Sequence, residues 1–222
     1  MAFREISPGA LLSPVPAVMV SCAAEGVRPN IITIAWAGTV CSQPPMLSIS
    51  VRKERFSHRI LTDSGEFVVN LVGRDQMKAM DYCGVRSGRD EDKFATCGLT
   101  TQPVEQMRYA PAIAECPVYL ACKTEQVLEL GSHDLFLARI VGVGVKEELM
   151  DASGNIDVQK AGLVAYCHGI YHGLGEALGF FGFSVAAPKV YARRMKALKQ
   201  KQRRKNNAGS NCTDRTGFCG CG

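Results

Sequence analysis

Between residues 15 and 53 the chain carries three runs rich in Val, Ile, Ala and Thr, at 15–23, 30–40 and 46–53. Residues of this kind at half-polar spacing predict strands. In the second run Ile32, Ile34 and Trp36 share one face, and Thr33, Ala35 and Ala37 the other. In the third, Met46, Ser48 and Ser50 oppose Leu47, Ile49 and Val51. The run Cys41-Ser42-Gln43-Pro44-Pro45 predicts the turn between them, and residues 24–30 a hairpin connection. Residues 57–64 predict a short helix with Gly65 at its C-cap, and 66–71 the next strand. Residues 75–83 offer Met77, Met80 and Tyr82 as anchors and stop at Gly84. Charged residues 86–93 read as a loop, and 104–114 as irregular chain punctuated by Pro103 and Pro111. Residues 117–130 form a long alternating strand that pairs with 134–149 across Gly131-Ser132-His133. Gly142 and Gly144 mark a bulge or a close backbone approach. A turn at 151–155, a short strand at 163–167, a Gly-rich aromatic stretch at 168–183 and a helix at 189–205 complete the chain. Strands dominate up to residue 167 and no segment repeats. The fold class is mainly β with flanking helices, an antiparallel barrel.

Composition adds little to this picture except at the ends. The 222 residues are long enough for one good core, and no window of about 18 apolar residues predicts a membrane span. The apolar stretch 10–24 reads as a strand rather than a leader, because Glu5 offsets Arg4 while Pro14 and Pro16 interrupt the run. A cytoplasmic protein is expected. Seven of the ten cysteines are scattered singly through apolar sequence, which suits reduced, mostly buried thiols. Charge is divided unevenly. Residues 1–188 hold 16 Lys and Arg against 20 Asp and Glu, whereas 189–207 hold nine basic residues and no acid. The expected organisation is a barrel domain over 1–188 and a basic helix with a Cys-containing tail over 189–222.

The candidate chemistry gathers where the third strand meets the short helix. Arg52, Lys53 and Arg55 lead into Phe56-Ser57, and a helix start offers unpaired N–H groups and a partial positive charge to an anion. A capped surface helix is the alternative. Strand alternation puts Arg52 and Lys53 on opposite faces, so only part of this charge serves one anion. Trp36 is the single tryptophan, either a core anchor or the wall of a slot. Cys41 lies in the turn nearby, and His168, Tyr171 and His172 cluster late in the chain. Gly173–Gly179 has one residue too many for a dinucleotide glycine motif, and no parallel βαβ unit precedes it. Cys212, Cys219 and Cys221 match no standard metal spacing, so no metal is assigned.

Taken in order, Thr33-Ile34-Ala35-Trp36, Pro44-Pro45, Ser50–Ser57, Gly65–Leu71, Ser87–Phe94 and Gly173–Glu176 resemble the flavin reductase-like family, nearest its flavoredoxin branch. The resemblance covers about residues 8–190. It implies an FMN-binding split β-barrel of Greek-key type, usually a homodimer. It implies that Thr33, Ala35, Trp36 and Ser50 frame the flavin and its ribityl chain. Arg52, Lys53, Arg55, Phe56 and Ser57 would hold the phosphate, and Lys93 would reach flavin or phosphate. NAD(P)H would dock transiently on the flavin face, where His168 or Cys41 could take part, or a redox protein would supply the electrons. The rival reading is a non-enzymatic binding module that uses the basic C-terminal helix on nucleic acid or an acidic protein; nucleic acid is the less expected partner.

Overall fold

The β-branched runs pair into one curled sheet whose two edges are consecutive in sequence. The computed structural model describes residues 2–151 and 154–213, with side chains as far as residue 200. Five strands come first: β1 (Val15–Pro16), β2 (Val18–Ala24), β3 (Val27–Ile34), β4 (Ala37–Ser42) and β5 (Pro45–Arg52). Then follow α1 (Phe56–Ser64), β6 (Glu66–Leu71), α2 (Met77–Val85), α3 (Lys93–Cys97), β7 (Thr101–Gln102) and β8 (Ala112–Ile113). The long hairpin of β9 (Val118–Leu130) and β10 (His133–Val145) precedes β11 (Val164–Cys167), β12 (Ile170–Gly173) and α4 (Pro188–Thr213). The main sheet runs β3-β2-β6-β9-β10-β5-β4, antiparallel throughout. Its edges, β3 and β4, are joined by Ala35 and Trp36, so the sheet must curl until that dipeptide bridges the gap. Ser50 N–H donates to the Trp36 carbonyl at 2.9 Å and ties the bridge to β5. This is the antiparallel split barrel that the pattern and the resemblance predict. The chain divides into two compact units, Met1–Leu174, which contains the barrel, and Gly175–Gly222, which contains α4.

Alternation sorts the side chains into two main cores. Val20, Ile32, Ile34, Ile49, Phe67 and Phe136 fill the barrel. Met19 and Ile31 point the other way, where α2 and α3 cover them with Met80 and Phe94. Each such buried side chain contributes about 1.5–3 kcal/mol. A third, smaller cluster lies under the irregular segment 104–112. Two polar residues four apart on β6 hold that segment. The Glu66 carboxylate, 5 % exposed, accepts from the backbone N–H groups of Arg108, Tyr109 and Ala110 at 3.1, 2.6 and 2.9 Å. Asn70 accepts from Ile113 N–H at 2.8 Å and donates to Ser21 Oγ at 2.9 Å. Buried groups this fully paired fix the chain that crosses them.

Several elements depart from the sequence pattern. The expected strand over 30–40 is two strands, because the chain leaves one sheet edge at Ile34 and enters the other at Ala37. The first strand also divides: Val15 and Pro16 pair with β11, and Val18 begins the barrel strand. Helix α2 runs past Gly84 to Val85. A Cβ on Gly84 would come within 3.1 Å of Thr33 Cβ, so this glycine permits close packing on β3 and does not stop the helix. The charged loop ends in α3, a helix opened by the Asp92 carboxylate cap and closed by Gly98 at φ 62°. Both readings of the two β10 glycines hold: the register shifts between Ile140 and Gly142, and a Cβ on Gly144 would fall 2.0 Å from the Tyr119 ring.

Candidate functional site

Two clefts open side by side in the barrel unit and share Ile32, Arg52 and Arg55 in their walls. The larger encloses about 450 Å³ where the sheet edges are bridged. Thr33, Ala35, Trp36 and Ser50 form one side, and Tyr166, His168 and Tyr171 the other. The Thr33 hydroxyl donates to the Met80 carbonyl, which fixes β3 against α2. Trp36 remains 46 % exposed, its ring centroid 4.7 Å from that of His133 and tilted by 39°. Burial, with the Arg52 guanidinium nearby, holds the His133 imidazole below its ordinary value and so favours the neutral ring. Tyr171 donates to Asp81 at 2.9 Å. Burial first, and then that carboxylate, push the phenol up to about 12, so it stays protonated. His168 adopts φ 45° in the tight turn between β11 and β12.

The smaller cleft encloses about 390 Å³ at the start of α1. Arg55 occupies the N-cap position with extended backbone and makes no side-chain cap; its carbonyl accepts from His58 N–H at 2.9 Å, so the amides of Phe56 and Ser57 are the ones at the helix start left for an anion. Ser57 is 2 % exposed, and its Oγ accepts from Asn30 Nδ2 at 2.8 Å. The opposite wall is the loop between α2 and α3, with Arg86, Ser87 and Gly88. Arg28 donates to the Gly88 carbonyl at 3.0 Å. A Cβ on Gly88 would fall 2.0 Å from Asn30 Oδ1, so the loop lies closer to β3 than any side chain allows. Lys93, 3 % exposed, donates to the carbonyls of Ile31 and Cys83, each at 2.8 Å. Burial lowers its pKa. An ammonium held dry in this wall adds attraction for an anion.

The structure thus brings Thr33, Ala35, Trp36, Ser50 and His168 to the larger cleft. It brings Phe56, Ser57 and Lys93 to the smaller, with Arg52 and Arg55 serving both. Lys53 departs from the expectation. It lies in the turn just past the end of β5 and pairs with Glu129 at 2.9 Å and Asp134 at 3.3 Å, away from both clefts. Cys41 departs as well: it sits opposite Met46 on edge strand β4, beyond a register shift, and lines neither cleft. Asn30, Asp81, Gly88, His133 and Tyr171 join the walls although the sequence did not assign them there. The side chain of Cys212, and Cys219 and Cys221 altogether, lie outside the described residues. The paired clefts fit a molecule with a flat ring at one end and a phosphate at the other. Both volumes are of the size small-ligand sites have, and a helix start is a place where anions are favoured.

Comparison with known proteins gives this arrangement a family. Residues 11–175 match the family model described as "Flavin reductase like domain". Flavoredoxin of Desulfovibrio vulgaris (Miyazaki F) shares 32% sequence identity at a TM-score of 0.77, over 83% of this chain and 100% of that one. Flavoredoxin from Methanosarcina acetivorans shares 25% identity at a TM-score of 0.77, over 84% of this chain and 100% of that one. The reductase component of a 4-nitrophenol 4-monooxygenase/4-nitrocatechol 2-monooxygenase from Rhodococcus opacus is 29% identical over 123 residues, 55% of this chain and 62% of its own length. With the family model spanning the barrel and both clefts, the chain belongs to the flavin reductase-like family of flavoproteins.

Proposed function

We propose that this protein is an FMN-binding oxidoreductase that receives electrons from NAD(P)H or a reduced redox protein and delivers them to a flavin, iron or protein acceptor. One observation carries the reading: a ring-sized cleft runs into an anion cradle at the start of α1. Arg55, Ser57 and the amides of Phe56 and Ser57 would hold the phosphate, with the Gly88 loop closing over it. Thr33, Ala35, Trp36 and Ser50 would border the ring. Bound FMN supplies the exchange of hydride and of single electrons. The chain's own residues place it, shield it and leave one side open toward His168 and Tyr171. Similarity to two flavoredoxins along their whole length favours an electron carrier with a protein partner. A homodimer is part of the same proposal.

Purified protein is expected to take up FMN with a yellow absorbance band and to lose that band anaerobically with NADH, NADPH or a reduced ferredoxin. Protein that takes up no FMN on titration would end this reading.

The partner proposal rests on α4. Residues 189–207 carry nine basic residues and no acid, lie beyond the span of the family model, and attract an acidic surface. Binding to an acidic [2Fe–2S] ferredoxin is expected to weaken about tenfold or more between 50 and 200 mM salt, as electrostatic docking does. Deleting residues 189–222 is expected to remove that binding and to leave FMN uptake intact. Unchanged ferredoxin binding after the deletion, or binding of polyuridine in its place, would reject the acidic redox partner.

A further inference from the structure

The wall of the smaller cleft contains one cysteine, Cys83, and a second, Cys97, packs beside it in the core under α2 and α3. Cys83 lies in α2 and Cys97 ends α3, and their sulfurs are 4.0 Å apart. Among the described residues no other two cysteine sulfurs are in contact. Cys83 is buried and lines the anion cleft, while Cys97 is half-exposed. Between them runs the segment that forms the opposite wall of that cleft. Arg28 on the Gly88 carbonyl and Lys93 on the Ile31 carbonyl tie it to β3, and Tyr82 on Glu91 and Lys93 on the Cys83 carbonyl tie its ends together.

We propose that Cys83 and Cys97 form a reversible disulfide with small disulfides such as oxidised glutathione, and that its closure clamps the anion cleft. The Cys97 thiolate attacks one glutathione sulfur, forms a mixed disulfide and releases one glutathione thiolate. The Cys83 thiolate then attacks the Cys97 sulfur, the Cys83–Cys97 bond forms, and the second glutathione leaves. Two protein thiols lose two electrons, and one small disulfide becomes two thiols. Access decides the order, because the incoming molecule reaches half-exposed Cys97 first. Burial raises both thiols, Cys83 to about 12, so little thiolate exists at neutral pH and exchange is slow. That makes the pair a slow switch that follows the thiol poise, not a dithiol that turns over with the flavin.

Closure changes the cleft through its wall. The sulfurs approach from 4.0 Å to about 2.05 Å. The cross-link then joins both ends of the segment carrying Arg86, Ser87 and Gly88, whose freedom falls. A stiffer wall holds its ligand longer, mainly by slowing departure. This second consequence rests on the FMN reading; the disulfide itself does not.

The full-length protein is incubated with oxidised glutathione, alkylated and digested with trypsin. The expected product links residues 79–86 to residues 94–108 and disappears on treatment with dithiothreitol. In Cys83→Ser the link is absent and Cys97 carries glutathione instead. Wild-type protein in which Cys97 stops at the glutathione adduct, or stays free while other cysteines react, would overturn the disulfide. FMN is expected to leave the oxidised protein about fivefold more slowly than the reduced protein. Equal rates would overturn the clamp and keep the disulfide. Absence of FMN uptake in both forms would overturn the flavin reading and the clamp, with the linked peptide still deciding the cross-link.

Discussion

Gly88→Ala is expected to weaken FMN binding about 30- to 100-fold, equivalent to about 2–3 kcal/mol, while the barrel stays folded. The added Cβ would lie 2.0 Å from Asn30 Oδ1 and 2.5 Å from Asn30 Cγ. Asn30 is 3 % exposed and has nowhere to retreat without giving up its hydrogen bond to Ser57. That bond holds the hydroxyl in the anion cradle, and an ordinary buried hydrogen bond is worth about 1 kcal/mol. The remainder comes from the loop moving outward with Arg86 and Ser87. Titration of the variant with FMN, beside a far-UV circular dichroism spectrum, measures both parts. Wild-type affinity in a folded variant would mean that the cleft behind Gly88 does not hold the phosphate.

Glu66→Ala is expected to cost about 4 kcal/mol of folding stability, from a total that is commonly only about 5–15 kcal/mol. The carboxylate accepts from three successive backbone N–H groups, and alanine leaves all three without a partner. The segment 104–112 would then lift off the outer face of β6, exposing Val68 and Ala121 beneath it. Glu66→Gln keeps one carbonyl oxygen in place and should cost about half as much. Urea unfolding of the three proteins decides the matter. A loss below about 1 kcal/mol for the alanine variant would show that solvent replaces the carboxylate without penalty.

Glu66 also shows why some of the molecule was legible beforehand and some was not. Its strand was plain from 66–71, because Gly65 closes the preceding helix at φ 65° and the β-branched run follows at once. Nothing local says that its side chain reaches across to Arg108, forty-two residues away. The break at Ala35-Trp36 was hidden for a similar reason. No Gly, Pro, Asn or Asp stands between Ile31 and Ala37, and only the closure of the sheet makes the chain change edges. Helix α3 did carry signals, Asp92 before it and Gly98 after it, but five residues are too few for a periodic pattern. In the site, the basic helix start and the aromatic at 36 could be seen because they are close in sequence. The pairing of Asn30 with Gly88 and of Asp81 with Tyr171 could not, since the first joins a strand to a loop and the second a helix to a strand, each across the fold. Lys53 and Arg52 are the instructive pair: alternation predicts that they part, and the structure sends them to different partners, with Lys53 already in the turn past β5.

Trp36 is the chain's single tryptophan, and it stands in the wall of the larger cleft. The protein therefore carries its own optical probe at the place where a ring would enter. Indole emission, excited to the red of the tyrosines, has one source in the chain. A flavin within van der Waals reach absorbs at the wavelengths where indole emits, so occupancy of the cleft is written as darkness at one residue.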